Sequence, residues 1–319
     1  MRWDLFCRVI DNYGDIGVCW RLAADLGARG ETVRLWVDDA SALRWMAPGG
    51  APGVSIGAFD AAGEPGEVVV EAFGCDPPPA FVTRMAARQP AAPVWINLEY
   101  LSAEPWVERT HGLPSPQANG LVKYFCFPGF APATGGLLRE PGLLAARQVF
   151  TRPPGPRRAL VFCYATPALR RLAQTFDGEL QCCPGAAQAM DSQRARHLPF
   201  IDQASFDRAL WSADLNIVRG EDSLVRAIWA GAPFIWHIYP QHDGAHRHKL
   251  EALLDRLQPM AEVRNLWRAW NGFAPWPARW PDEEPWREAT LAWRDALAAQ
   301  PDLVTQLLAF VAGKAPVSS

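Results

Sequence analysis

Short apolar segments alternate with amphipathic segments along most of the chain, and this alternation limits the folds that are open to it. In the first half, the strand candidates are Leu5–Ile10, Thr32–Val37, Val68–Phe73 and Val94–Asn97. The helix candidates that lie between them are Ile16–Ala28, Ser41–Met46 and Pro79–Gln89. Apolar strands separated by helices are typical of a parallel sheet with both faces covered.

A second series of the same kind follows a proline-rich basic segment, Thr151–Arg158 (TRPPGPRR). Its strand candidates are Ala159–Tyr164, Leu180–Cys183, His197–Phe200, Leu215–Val218 and Phe234–Ile238, and its helix candidates are Ala168–Phe176, Gln203–Ser212, Leu224–Ala230 and Ala245–Leu257. The pattern predicts two α/β domains, residues 1–150 and 151–319, with ligands at the carboxyl ends of their strands. It leaves open whether the last helix packs back on the first domain.

Several protein classes are disfavoured by composition. The formal net charge of −3 gives no electrostatic reason to expect a nucleic acid partner. The longest apolar runs fall well short of the roughly 20 residues that span a bilayer, and the N-terminal segment has no signal-peptide pattern. The seven cysteines are an odd number without a CxxC pair, which indicates a reducing compartment. We therefore expect a cytoplasmic protein that binds neither nucleic acid nor membrane.

A polar loop with two aspartates joins the first strand to the first helix, in the segment DNYGDIG. The loop lacks the GxGxxG pattern of a dinucleotide site, and Asp11 and Asp15 would repel a pyrophosphate. The carboxylates therefore point to a cationic group or to a reaction that needs a base. Capping of the helix would explain Asp15 equally well, but it would leave Asp11 unexplained.

A second polar turn, RGEDS, follows the strand that ends at Val218. If a helix begins at Leu224, Asp222 and Ser223 are suitable N-cap residues, and the helix N-terminus is a candidate anion site. The alternative is a surface ion pair between Arg219 and Glu221, with Asp222 acting only as a cap.

Other side chains suit a nucleotide or a metal less specifically. Phe162 and Tyr164 are placed at the end of one strand, and Phe200 and Gln203 at the end of another, where they could stack on a base and read its edge or pack in the core. His242 and His246 are spaced for one helix face, but no acidic residue stands at a ligand spacing such as HExxH. We expect no metal site there.

Six segments of the chain together resemble the EarP family, the protein-arginine rhamnosyltransferases that modify translation elongation factor P. They span roughly residues 5–254, and they read FCRVIDNYGDIGVCWRLA, WINLEYLSAEPWVERTHGLPSPQ, KYFCFPGFAPATGGLLRE, FCYATPAL, LPFIDQASFD and RGEDSLVRAIWAGAPFIWHIYPQ. The resemblance implies a GT-B fold, two Rossmann-like domains facing across a cleft, and an inverting mechanism without a metal or cofactor. It implies dTDP-β-L-rhamnose as the donor and one arginine of elongation factor P as the acceptor.

The resemblance also implies roles for individual residues. Asp15 would be the general base, Asp11 its acidic neighbour, and Glu221 a second catalytic acid. The residues implied at the donor are Phe162, Tyr164, Phe200, Gln203, Arg219, Asp222 and Ser223, of which Asp222 and Ser223 would lie at the diphosphate and the aromatic and amide groups around the thymidine.

Two other functions remain open at this point. One is a GT-B enzyme that acts on a small-molecule acceptor. The other is a non-catalytic protein that binds a nucleotide or docks on the translation apparatus. An Asp15→Asn variant should keep its function in a binding protein, but it should lose turnover in an enzyme that uses this residue as a base.

Overall fold

The computed structural model describes residues 1–10, 13–241 and 244–314. The chain divides into two compact units, one formed by Met1–Pro141 together with the chain from Gln300 onward, and the other by Gly142–Ala299. The division therefore precedes the boundary predicted after residue 150. Its cause is a short helix, α5 (Leu143–Val149, labelled in chain order), whose Arg147 donates from Nε to the carbonyl of Ala230 at 2.9 Å in the second unit.

The first unit contains a seven-stranded sheet. Its strands are β1 (Arg2–Cys7), β2 (Thr32–Val37), β3 (Val54–Gly57), β4 (Val68–Ala72), β5 (Val94–Leu98), β6 (Pro114–Pro116) and β7 (Val122–Cys126). They are ordered β3-β2-β1-β4-β5-β7-β6, and all neighbours are parallel except β6 and β7. The carboxyl ends of β1, β4, β5 and β7 therefore lie along one edge of the sheet.

Helices cover both faces of this sheet. They are α1 (Gly14–Ala28), α2 (Leu43–Met46), α3 (Pro79–Ala87) and α4 (Val107–Thr110). Successive residues of β1 belong to different apolar clusters, because strand side chains alternate between the faces. Leu5 and Cys7 pack with Ile16 of α1, whereas Phe6 packs with Phe81 of α3.

The second unit repeats the same architecture with a five-stranded parallel sheet, ordered β10-β9-β8-β11-β12. Its strands are β8 (Arg158–Val161), β9 (Glu179–Cys182), β10 (Ala195–His197), β11 (Leu215–Arg219) and β12 (Phe234–His237). Besides α5, its helices are α6 (Ala168–Thr175), α7 (Gln203–Ser212), α8 (Gly220–Ala230), α9 (Ala245–Leu257), α10 (Ala261–Trp270) and α11 (Glu283–Ala298).

The last helix, α12 (Leu303–Ala312), belongs to the first unit. Its apolar side chains, among them Leu307 and Val311, join the cluster around α1. Arg29, which follows α1, binds Asp302 at 2.7 Å and thereby ties the start of α12 to the end of α1. The chain thus returns to its first unit after completing the second.

The segment from Leu98 to Glu140 was predicted as long irregular loops, and this prediction is wrong for part of it. It contains α4, β6 and the parallel strand β7. The strand was missed because its sequence, VKYFC, does not form a continuous apolar run. Lys123 of β7 is accommodated in the sheet by an ion pair with the buried carboxylate of Glu71.

All seven cysteines are buried and free, as their apolar sequence surroundings indicated. Burial raises the pKa of the Cys75, Cys126 and Cys163 thiols to about 12 in each case. These thiols therefore act as small apolar side chains. Among the helices of the described chain, none has the length and hydrophobicity needed to cross a membrane.

Candidate active site

The carboxylate of Asp15 lies in the first turn of α1 at the carboxyl edge of the first sheet. The N-cap position of this helix is Tyr13, so Asp15 does not occupy it, contrary to the alternative interpretation. Instead, one carboxylate oxygen accepts a hydrogen bond from the backbone N–H of Ile10 at 2.8 Å, and the side chain is only 4% exposed. The other predicted carboxylate of this loop, Asp11, lies outside the described residues.

The surroundings of Asp15 include the ends of two neighbouring strands. Burial raises the pKa of the Cys19 thiol, as does its hydrogen bond with Cys7, and the charges of Asp15 and Cys75 act in the same direction. Cys7 ends β1, and Cys75 follows β4 by three residues. Asp15 is therefore close to the carboxyl ends of β1 and β4, where a doubly wound sheet places its ligands.

In the second unit, the predicted donor residues Phe162, Tyr164 and Arg219 lie together. Arg219 ends β11, and its guanidinium carbon is 4.5 Å from the ring centroid of Phe162 and 4.7 Å from that of Tyr164. Both rings follow β8, which is hydrogen-bonded to β11. The cation is thus held by two aromatic rings, an arrangement that orients a guanidinium for an anionic ligand.

Helix α8 begins at Gly220 and not at Leu224 as the sequence predicted. Glu221, Asp222 and Ser223 consequently lie within its first turn, and the prediction that Asp222 and Ser223 occupy the N-cap is wrong. The cause is Gly220, whose φ of +67° lets the chain pass directly from the strand into the helix. The Ser223 hydroxyl donates to the carbonyl of Arg219.

The first turn of α8 is a suitable anion site. The first N–H groups of an α-helix have no intrahelical acceptor, and the helix dipole favours a negative charge beside them. Arg219 immediately precedes this turn. The indole N–H of Trp236 donates to the carbonyl of Gly220 at 2.9 Å and fixes the start of the helix. This end of α8 can hold a phosphate group.

Phe200 and Gln203 do not end a strand, contrary to expectation, since β10 ends at His197. Phe200 lies in the following loop with half of its surface exposed, and Gln203 is the first residue of α7. Asp202 caps this helix by accepting the N–H of Ser205 at 2.8 Å.

The start of α7 is connected to the ring of Phe162. Phe206 of α7 contacts this ring edge to face, with 5.7 Å between the ring centroids. Gln203 and Phe206 are three residues apart on one helix, so the two side chains lie on the same side of it. The amide of Gln203 thus lies on the helix that packs against Phe162.

Two further side chains at this edge of the second sheet were not predicted, His237 and Tyr239. His237 ends β12 and pairs in register with Arg219. Its ring packs against that of Tyr164, with 5.2 Å between the ring centroids. Burial, together with the charge of Arg219, lowers the pKa of His237 to about 4. The imidazole is therefore neutral at pH 7. The ring of Tyr239 also packs against Tyr164, with 5.5 Å between the ring centroids.

The sequence signal for His237 is the histidine-rich segment HIYPQHDGAHRH, which also contains His242 and His246. His242, on which a metal site there would depend, lies outside the described residues. His246 uses Nδ1 to accept the backbone N–H of Gln241 at 3.1 Å. It orders the start of α9.

Two α/β units, each built on a largely parallel sheet with polar groups at the carboxyl ends of its strands, form the architecture of GT-B glycosyltransferases. Solved structures of this class match nearly the whole chain. The rhamnosyltransferase SpnG has a TM-score of 0.57 and 12% identity, with 97% of this chain and 99% of that chain covered. A structure described as the basis for EarP-mediated arginine glycosylation of translation elongation factor EF-P has a TM-score of 0.62 and 30% identity, covering 98% and 99%.

The chain belongs to the EarP family, described as Elongation-Factor P (EF-P) rhamnosyltransferase, whose model matches residues 3–181 and 155–312. It is similar to the protein-arginine rhamnosyltransferase of Pseudomonas putida KT2440, with 43% identity over 97% of this chain and 98% of the relative. The corresponding protein of Pseudomonas aeruginosa PAO1 is 40% identical over the same shares. One of Neisseria meningitidis H44/76 is 35% identical over 96% of each chain.

Proposed function

We propose that this protein transfers L-rhamnose from dTDP-β-L-rhamnose to one arginine side chain of elongation factor P, with inversion at the anomeric carbon and without a metal. The observation that carries this proposal is the position of Asp15. Its carboxylate lies at the strand edge of the first unit and binds a loop N–H, which leaves the helix N-cap to another residue. Family membership supplies the reaction that such a carboxylate would serve.

Arginine is a difficult acceptor, because it stays protonated at neutral pH. Because its pKa lies far above neutrality, removing its proton in free solution at pH 7 costs about 8 kcal/mol. A site must therefore bind the cation, align one nitrogen and accept its proton while the new bond forms. A carboxylate can do all three, since a guanidinium binds it through two parallel hydrogen bonds. Asp15 is the proposed base, and Asp11 the second carboxylate of the same loop.

In the proposed reaction, a guanidinium nitrogen attacks C1 of rhamnose from the face opposite the nucleotide. The C–N bond forms as the C1–O bond breaks, the proton passes to Asp15, and dTDP leaves with the electron pair of the broken bond. N–H groups in the first turn of α8 and the guanidinium of Arg219 would stabilise the charge that develops on the diphosphate. Glu221, in the same turn, is expected to face the sugar or the acceptor, because its charge would oppose a phosphate.

The donor residues are proposed from the second unit. Asp222 and Ser223 would bind the diphosphate through their backbone N–H groups in the first turn of the helix, not through the Asp222 carboxylate. The nucleoside would lie against Phe162 and Tyr164, with Phe200 and Gln203 completing its site. Two proteins of the same fold, SpnG and VinC, have been solved with thymidine diphosphate, at 11% and 12% identity to this chain.

Mass spectrometry of intact elongation factor P tests the proposal. Incubation with this protein and dTDP-rhamnose should add one deoxyhexose, and peptide mapping should assign it to an arginine. Omission of the donor is the first control, and an elongation factor P with that arginine changed to lysine is the second. Consumption of the donor without a mass gain would favour a different acceptor. An unchanged donor would favour a protein that binds without catalysis.

A further inference from the structure

Two stacked aromatic rings, those of Phe73 and Tyr100, lie at the carboxyl edge of the first sheet. Phe73 follows β4 directly, and Tyr100 follows β5 by two residues. Their ring centroids are 4.7 Å apart, with 20° between the ring planes, an offset stack. Phe73 is 9% exposed and packs in the core, whereas Tyr100 is 36% exposed. The pair therefore presents one aromatic ring to solvent on a buried support.

The backbone of Phe73 fixes this support. Its φ of +58° lies in the left-handed region, which is rare and unfavourable for a bulky side chain. Its N–H donates to the carbonyl of Leu98 at 2.8 Å, so the conformation is held by the neighbouring strand. The chain after β5 is held in the same way, since the N–H of Glu99 donates to the carbonyl of Cys126 at 2.9 Å. Tyr100 thus projects from a part of the chain that is hydrogen-bonded on both sides.

The pair lies on the same edge as Asp15. Phe73 shares an apolar cluster with Cys7 and Ile16, which flank the loop that precedes Asp15. Strand β4 lies between β1 and β5, so two strand spacings of about 4.8 Å each separate the chain positions of β1 and β5. A tyrosine and an aspartate side chain at the same edge can together span that separation with a guanidinium between them. Tyr100 and Asp15 can therefore contact the same ligand.

We propose that the exposed ring of Tyr100, supported by Phe73, binds the guanidinium of the acceptor arginine and presents one of its nitrogens to Asp15. This inference rests on the proposed function and adds to it an acceptor-binding residue. A flat guanidinium can lie on an aromatic face and still offer its edge to a carboxylate, which a lysine ammonium does less well. Tyr100 would thus contribute to the selection of arginine.

The same chemistry occurs elsewhere in this chain, and the local charge is suitable. Arg219 lies over two aromatic rings in the second unit, and Arg34 lies over Trp36 in the first. Glu99, next to Tyr100, accepts a hydrogen bond from the Asn97 amide at 2.8 Å. A carboxylate at this edge of the sheet adds to the attraction for a cation.

A double-mutant cycle on binding tests this contact without requiring turnover. The affinity for elongation factor P is measured for the wild-type protein and for Tyr100→Leu, each with wild-type acceptor and with an acceptor whose modified arginine is changed to methionine. Peptide mapping identifies that arginine. If no product forms, changing the surface arginines of elongation factor P one at a time identifies it instead. We expect Tyr100→Leu to weaken wild-type binding roughly 2- to 30-fold and leave binding of the methionine variant unchanged.

Two matched variants separate this contact from general damage. Tyr100→Phe retains the ring and should keep most of the affinity. Trp106→Leu removes another exposed aromatic of the same unit, 43% exposed, and should leave the affinity unchanged. Equal weakening of both acceptors by Tyr100→Leu, or an equal effect of Trp106→Leu, would overturn the inference. If the cycle shows coupling but no sugar is transferred, the proposed function fails while the contact with arginine stands.

Discussion

Replacing Asp15 by asparagine separates the chemical role of this residue from its structural role. The Ile10 N–H donates to the Asp15 carboxylate at 2.8 Å, and the amide oxygen of Asn can still accept this hydrogen bond. The expected loss of stability is therefore about 1 kcal/mol. The amide cannot accept the proton of the acceptor arginine. A positioned general base contributes roughly 10²- to 10⁴-fold, which corresponds to about 2.7–5.4 kcal/mol of the activation barrier. We therefore expect kcat to fall by that factor, with donor affinity within about twofold of wild type.

Single-turnover transfer, followed by the mass of elongation factor P, measures the chemical step directly. Calorimetric titration with dTDP measures the donor site of the same protein samples. Asp25→Asn is a useful comparison, because Asp25 is a buried carboxylate of the same helix that binds Arg29 at 2.8 Å. That variant should lose stability and retain turnover. A loss below tenfold for Asp15→Asn, or a parallel loss of donor affinity, would refute the assignment of Asp15 as the base.

Three further predictions concern the second unit. Arg219→Lys should weaken dTDP binding about tenfold in calorimetric titrations and leave the fold intact, because an ammonium cannot replace the stacked guanidinium. Asp207→Asn should lower the free energy of unfolding in urea by about 3–5 kcal/mol, since it breaks the buried pair with Arg226, and Asp207→Leu/Arg226→Met should restore most of it. The pKa of His237 is lowered from 6.5 to about 4, so the folded state favours its neutral form. The contribution of His237 to the free energy of unfolding is therefore complete above pH 6.5. Stability should therefore fall by on the order of 3 kcal/mol as the pH drops towards 4, and His237→Asn should lack this component in urea unfolding at each pH.

The sequence was sufficient for most of the fold because buried parallel strands are continuous apolar runs. The strand Thr32–Val37 and the helices Gln203–Ser212 and Ala245–Leu257 match their predicted bounds. The predictions were wrong where tertiary contacts compensate for an unfavourable local pattern. Strand β7 is the main example, because the charge of Lys123 is neutralised by Glu71, a residue on a strand that is distant in the sequence.

The candidate site was predictable to a similar extent. The residues Phe162, Tyr164 and Arg219 were grouped only through the family resemblance, and the structure brings them into contact. The start of α8 was predicted too late in the chain. Gly220, with its positive φ, lets the helix begin directly after the strand, where a capping side chain was expected at Asp222 or Ser223. The position of His237 in the site could not be predicted from its segment alone, because its lowered pKa arises from burial and from Arg219 on the neighbouring strand.

A crystal structure of this protein with dTDP tests the central claim, that the two units divide acceptor and donor by charge. We expect electron density for the diphosphate at the first turn of α8, within hydrogen-bonding distance of the backbone N–H groups of residues 221–223 and of the Arg219 guanidinium. The thymine should lie against Phe162 or Tyr164. Diphosphate density at the first turn of α1, beside the carboxylate of Asp15, would contradict the account.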